Sequence, residues 1–498
     1  METTHYISPD HLSLDRIGEI VARGMKLALS EESKGRIERC RRWLDEKIAS
    51  SATPIYGVTT GFGSLCNISI GSDQLSQLQA NLMMSHACGT GEEVPGDIVK
   101  IMLLLKVQSL AYGFSACKLD TVERLIDLFN HDALPVVYRQ GSVGASGDLV
   151  PLAHLCLPLI GLGEVRLRGE RMSGGELCER MGWQPIRLAS KEGLALLNGT
   201  QNMAAFAVWG VLAAEKLSRW ADAIAAMSLD AFAGLTEPFT EAVHRARPHQ
   251  GQLETARAMR EWLAGSELAR EPKPQVQDPY SFRCVPQVHG AVKDTIRYVR
   301  SVLDVEVNAA TDNPTVVPDE NLVISSGNFH GEPIALPIDF LAIAVSELAS
   351  ISERRVYKLV DGDRGLPSFL VAVPGINSGF MIPQYTAASI VNQNKMLCWP
   401  ASCDSIPTSQ GQEDHVSMGA NGATKLWRVC GNTARVLAIE LLNAAQALDF
   451  RRPRRSSPKV EAIHRAFRER VPFIDHDQPM YPHIAAAVAF LENTEPEQ

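Results

Sequence analysis

Three stretches of this chain are long, free of proline and rich in alanine and leucine. They are "QNMAAFAVWGVLAAEKLSRWADAIAAM" from Gln201, "DFLAIAVSELASISERRVYKLV" from Asp339 and "TKLWRVCGNTARVLAIELLNAAQALDF" from Thr424. Each runs to about twice the length of an average globular helix. Apolar residues lie around most of each helical surface, so these segments are expected to be buried on nearly every side. Strand-like alternation is scarce, and no fixed-period repeat or low-complexity segment occurs. The chain is therefore expected to be mainly α, built on a long central helical bundle. Upstream, Ile37, Cys40, Trp43, Leu44 and Ile48 share a helical face. Asp97 is placed to cap "IVKIMLLLKVQSLAY", and Asp120 with Glu123 has capping-box spacing before "RLIDLF".

At 498 residues and 45% hydrophobic, the chain can bury a large core. Two regions are expected. Residues 1–200 form a helical and loop region, and residues 201–498 form the long-helix bundle with further loops and C-terminal helices. A net charge of -9 argues against non-specific nucleic-acid binding. The run Arg451-Arg452-Pro453-Arg454-Arg455 is short and broken by proline, and reads as a solvated loop. The N-terminal residues lack a charged-then-apolar pattern, and no apolar run reaches the ~20 residues that span a bilayer. The 10 cysteines include no C-x-x-C pair and read as reduced core thiols. A cytoplasmic protein without membrane or nucleic-acid partners is expected.

Loops dense in Gly, Asn and Pro separate the helices, and such loops on a rigid scaffold are where chemistry tends to sit. One, "GSVGASGDLVPLAHL" at 141–155, sets small residues directly before a helical pattern. It reads equally as a tight turn, with Asp148 as N-cap and Pro151 in the first turn. Serine-hydrolase spacing fails, because Gly144-Ala145-Ser146-Gly147-Asp148 is not Gly-x-Ser-x-Gly. Phosphate-loop spacings are absent. A third reading uses the residues as they stand. The Gly147 amide nitrogen, unhindered by a side chain, attacks the Ala145 carbonyl and closes a five-membered ring with loss of water. Loss of the Ser146 hydroxyl as a second water leaves an electrophilic methylidene carbon. A helix starting at Asp148 would aim its positive end at that ring.

These residues resemble the signature of the aromatic amino acid ammonia-lyases, and the likeness extends from about Tyr56 to about Phe450. The resemblance implies a nearly all-helical fold, a homotetramer, and a methylidene-imidazolone (MIO) made from Ala145-Ser146-Gly147, with no external cofactor. "SHACG", "QDPYSFRC", "GNFHGEP", "SERR" and "QEDHVSM" look like the members acting on histidine, whereas Thr59 and His289 depart from their usual pattern. Elimination of ammonia from L-histidine to give trans-urocanate is the implied reaction. Elimination from tyrosine or phenylalanine, or a 2,3-aminomutase outcome, is the alternative.

The resemblance makes Tyr56 and Tyr280 the candidates for removing the substrate's β-proton. It gives Arg283 to the substrate carboxylate, and Asn198 and Gln277 to polar contacts with that carboxylate or the MIO oxygen. Phe329 becomes an apolar wall. His86 and Glu413 suit a ring bearing two nitrogens, since a phenyl pocket would leave a buried carboxylate unpaired. His154 reads as structural. His86, His330 and His415 lack zinc-site spacing, so no metal is expected. Because the motifs spread over hundreds of residues, the resemblance implies active sites shared between subunits, with the Gln277–Arg283 loop reaching a neighbour's MIO.

Overall fold

The computed structural model describes residues 3–50, 54–65 and 67–496. Cys66, one of the cysteines read as reduced, lies outside them. Nineteen α-helices and nine short strands occur among the described residues. Two compact units are interleaved along the chain. The first holds residues up to Trp209 with Arg300–Asp339 and Pro400–Thr424; the second holds Gly210–Val299, Phe340–Trp399 and the chain from Lys425.

The first unit carries all nine described strands, paired in four small sheets; one is parallel, pairing Thr4–Ile7 with Lys26–Leu29. Its helix Gly96–Ala111 is buried on every side from Ile101 to Ala111. On the helix Glu31–Ser50, the expected face forms: Cys40 and Leu44 pack with Val58 and Val316, flanked by Trp43 and Ile48. The second unit builds a core from Ala349, Val356, Ala387, Val391, Val436 and Ile439.

The three long helices exist, with two starting earlier than their patterns indicated: Gln201–Ala231, Glu332–Val360 and Gly419–Asp449. The second admits Pro337 in its first turns, where a proline removes few intrahelical bonds. By length and composition Glu332–Val360 is apolar enough to cross a bilayer, against the expectation that no such run exists; 67% of that window is buried inside the fold. Neither expected cap forms. Pro95 precedes Gly96–Ala111, and Asp97 lies inside its first turn, accepting from Trp209 Nε1 at 2.8 Å. Lys118, not Asp120, is the N-cap of Leu119–Asn130. A capping box instead joins Ser173 and Glu176.

The basic run is only partly a solvated loop: Arg454 and Arg455 are exposed, but the run is anchored at its start. Arg451 is buried and donates to the carbonyls of Ala231 at 2.8 Å and Arg364 at 3.0 Å. Arg452 pairs with Glu461 and Arg454 with Glu271, both at 2.7 Å. Distant carbonyls and carboxylates, invisible in a local pattern, absorb the charge.

Candidate active site

The 141–155 stretch runs through the first unit as a strained, close-packed turn. Val143 is zipped to the 416–418 segment by the Met418 N–H donating to its carbonyl at 3.0 Å. Ala145 is buried against Val416 and Met418, which leaves little room for a larger side chain. Gly147 has φ +74°, and a β-carbon there would lie 2.2 Å from the Gly199 carbonyl oxygen. That oxygen accepts from the Asp148 N–H at 2.8 Å, and Gly147 and Gly199 form a parallel bridge. Glycine is needed at 147 on both counts, the left-handed backbone and the close approach. Leu149, which has a side chain, is also held at positive φ, 48°. Such outliers persist only where the surroundings over-determine them.

The expected N-cap role of Asp148 is not what the structure shows. The helix after the turn starts at Val150, with Leu149 at its cap position and no side-chain cap. Asp148 instead accepts from the N–H groups of Asn202 at 2.6 Å and Met203 at 3.2 Å, in the first turn of Gln201–Ala231. It is fully buried, and burial pushes its carboxyl up to about 7; those two N–H groups and the Lys106 ammonium pull the other way.

Ser146 faces a cavity of about 880 Å³ lined entirely by the first unit. Tyr56, His86, Ala145, Asn198, Phe329 and Glu413 line the same cavity. The Ser146 hydroxyl donates to Glu413 Oε1 at 2.9 Å, and the Thr408 hydroxyl donates to Oε2. Asn198 Nδ2 donates to the Ser146 carbonyl oxygen at 3.0 Å. Tyr56 Oη accepts from the Gly63 N–H at 3.3 Å, which ties the phenol to its own glycine-rich loop. Burial holds the His86 imidazole below the usual histidine range, with the Glu413 charge working against it. His154 serves structure: its Nε2 accepts from the Gly89 N–H at 2.9 Å and fixes the loop after His86. His330 Nδ1 accepts from the Glu332 N–H, and its Nε2 donates to the His415 carbonyl, both at 3.2 Å. Among the described residues no three His, Cys, Asp or Glu side chains group as metal ligands do.

Gln277, Tyr280 and Arg283 belong to the second unit. Tyr280 opens the short helix Tyr280–Arg283 and is 70% exposed. The Arg283 guanidinium lies over the Tyr280 ring, 4.4 Å from its centroid, and its Nε is buried without a hydrogen-bond partner. Gln277 and Arg283 line a second cavity of about 640 Å³. Buried contacts anchor the loop. Asp278 accepts from Arg364 at 2.9 Å, Phe282 stacks on Phe232 at 4.4 Å, and Arg355 donates to the Ser281 carbonyl at 3.3 Å.

Three contributors escaped the sequence reading. Asn313, in "TDNP", lines the first cavity; its amide spans Ser325 and Ser326. Gly199 forms the other half of the glycine contact. Lys106 donates to the carbonyl oxygens of Ala195 at 3.2 Å and Asn198 at 2.9 Å. Its signal was available: a lone lysine within "IMLLLKVQSLA", a run apolar enough to be buried, must find partners.

A helical scaffold presenting a strained Ala-Ser-Gly turn to a polar cavity is the architecture of an amino acid lyase. The chain belongs to the aromatic amino acid lyase family, whose sequence profile matches residues 12–469, and it is a carbon–nitrogen lyase. It is 47% identical over 487 residues to the histidine ammonia-lyase of Symbiobacterium thermophilum, covering 97% of this chain and 96% of that one. The crystal structure of histidine ammonia-lyase from Trypanosoma cruzi superposes with a TM-score of 0.91 at 39% identity, covering 98% of this chain and 93% of that chain. Tyrosine aminomutase from Streptomyces globisporus gives a TM-score of 0.92 at 33% identity, covering 99% and 97%.

Proposed function

We propose that the protein eliminates ammonia from L-histidine to give trans-urocanate, using an MIO formed from Ala145-Ser146-Gly147. The observation that carries this reading is the contact between the Ser146 hydroxyl and Glu413 inside the cavity that also holds His86. Ala145 packed small, Gly147 left-handed and Gly199 seated against it fit a backbone that must fold onto itself. Once formed, the MIO supplies an electrophilic carbon to the substrate amine. Asn198 donates to the Ser146 carbonyl oxygen, where electron density collects. Glu413 and His86 provide an acceptor and a donor for the two imidazole nitrogens, and Phe329 closes the pocket. The family relationship to enzymes named histidine ammonia-lyase supports the same substrate.

The remaining roles go to Gln277, Tyr280 and Arg283 of the second unit, with Tyr56 of the first unit as the other candidate base. Arg283 takes the substrate carboxylate in a bidentate pair, Gln277 adds a polar contact, and Tyr280 or Tyr56 removes the β-proton. We assign the Gln277, Tyr280 and Arg283 contributions across a subunit boundary in a homotetramer. The exposed Tyr280 and the unpartnered Arg283 Nε support a loop completed by another chain. Phe340, Ile343, Ile382, Tyr385, Met396 and Trp399 leave an apolar surface on the second unit, as an assembling protein does. The test is purified enzyme incubated separately with histidine, tyrosine and phenylalanine, assayed for ammonia, arylacrylate and β-amino acid. Urocanate and ammonia in equal amounts are expected from histidine. β-Histidine as the main product, or a higher kcat/KM for tyrosine, would overturn the assignment.

A further inference from the structure

Lys106 is a buried cation that the reaction so far leaves without a role. It lies on Gly96–Ala111 amid wholly buried neighbours and is itself 1% exposed. Among the described residues no carboxylate reaches ion-pairing distance of it; its ammonium donates to the Ala195 and Asn198 carbonyls. Burial pushes its pKa down, and the nearby Asp312 and Asp148 carboxyls oppose that. A methionine would fill such a space without the desolvation cost of a charge. What distinguishes the lysine is that it pins the main chain of a residue whose side chain touches the Ser146 carbonyl. Its Nζ donates to the Asn198 backbone carbonyl at 2.9 Å, and the side-chain Nδ2 of the same residue donates to the Ser146 carbonyl oxygen at 3.0 Å. The next residue, Gly199, is the one seated against Gly147.

That oxygen is where charge develops during maturation. To lose its hydroxyl, Ser146 first loses its α-proton, and the electron pair of the Cα–H bond passes onto the carbonyl oxygen. The pair then returns to form the Cα–Cβ double bond as the Cβ–Oγ bond breaks. The α-proton and hydroxide leave together as one water. A positive charge behind a fixed donor favours that anionic stage.

We propose that Lys106 is a positioning residue for MIO formation, its ammonium fixing the Asn198 main chain so that the Asn198 side-chain amide stays on the Ser146 carbonyl oxygen, and favouring negative charge there. The proposal rests on the MIO reading above. Its test uses full-length Lys106→Gln, which keeps hydrogen-bond donors but loses the charge, with intact mass, assembly and kinetics measured together. Wild type should lack two waters at the Ser146 peptide. Lys106→Gln should assemble but remain largely without that deficit. Its kcat per mature chain should fall roughly tenfold or more, with KM for histidine little changed. An assembled Lys106→Gln with the full deficit and wild-type kcat per mature chain would overturn the proposal. Wild type without a deficit would instead remove the MIO reading itself. If Lys106→Gln does not assemble, Lys106→Arg decides, since it keeps charge and donors. A mature Lys106→Arg supports the role, and an assembled but immature one refutes it.

Discussion

Ser146 and Glu413 touch while the serine still carries its hydroxyl, so the proposed MIO would form beside that carboxylate. This shapes how substitutions there must be read. Ser146→Ala removes the group that leaves as water, so it should fold and assemble with the mass its sequence implies and lose nearly all turnover. Mass spectrometry and a urocanate assay on the same preparation check both halves. Glu413→Gln should lower kcat/KM for histidine by roughly a hundredfold, through the lost charged contact to the imidazole. Its mass deficit must be measured alongside, so that activity is counted per mature chain. Unchanged histidine kinetics would mean that Glu413 does not hold the ring. Gly199→Ala places a β-carbon 2.5 Å from Gln201 Oε1 at φ +119°, and should leave much of the protein immature.

At the scale of elements, two buried charges set the positions of the functional segments. Asp148 ties the reactive turn to the start of Gln201–Ala231. Its folded pKa is raised from 3.8 to about 7, so between those values the folded state holds more protons than the unfolded chain. Stability from this group therefore falls as pH rises through that window. Asp148→Asn removes that slope, at the pH-independent cost of one acceptor. The melting temperature of the variant minus that of wild type should rise steadily from about pH 4 to about pH 7. A pH-independent difference would show that Asp148 does not titrate there. In the second unit, Arg355 is fully buried, gives Glu440 two hydrogen bonds at 2.5 and 2.8 Å, and reaches the Ser281 carbonyl behind Tyr280. Arg355→Met strands the Glu440 carboxylate and should cost about 3–5 kcal/mol, most of it regained in Arg355→Met/Glu440→Met. Thermal midpoints of the two variants test this; equal loss in both would place the cost in packing rather than in the stranded charge.

For the whole molecule, the cavity around Ser146 is built from the first unit alone, while Gln277, Tyr280 and Arg283 sit in the second. If subunits share sites, Ser146→Ala and Tyr280→Phe chains, each nearly inactive, should regain part of the wild-type rate when co-expressed. Some sites in a mixed tetramer then combine an intact Ser146 with an intact Tyr280 from another chain. Verified mixed assemblies no more active than the separate variants would place both residues in one chain.

The helical class, the three long helices and the Ala-Ser-Gly tripeptide that the proposal rests on were legible in the sequence because each is a local signal. Periodicity and length mark a helix, and Ala145-Ser146-Gly147 needs no distant partner to be recognised. Tyr56, His86, Asn198, Phe329 and Glu413 could be named from the motifs they belong to, but only the fold brings them around one cavity. Local pattern failed where a side chain had both a nearby and a distant use. Asp148 has the spacing of an N-cap for the helix after it, yet caps a helix that begins some fifty residues on. Arg451 sits in a run that looks solvated, and is buried on the carbonyls of Ala231 and Arg364. Lys106 advertises only that it must be paired; that its partners are the Ala195 and Asn198 carbonyls, at the end of a short helix about ninety residues on, is decided by the fold. Sequence determines what a residue can do chemically and which short segments form on their own. Which polar groups meet is decided when the core closes, because a buried donor or charge must take whatever partner the packing brings within reach.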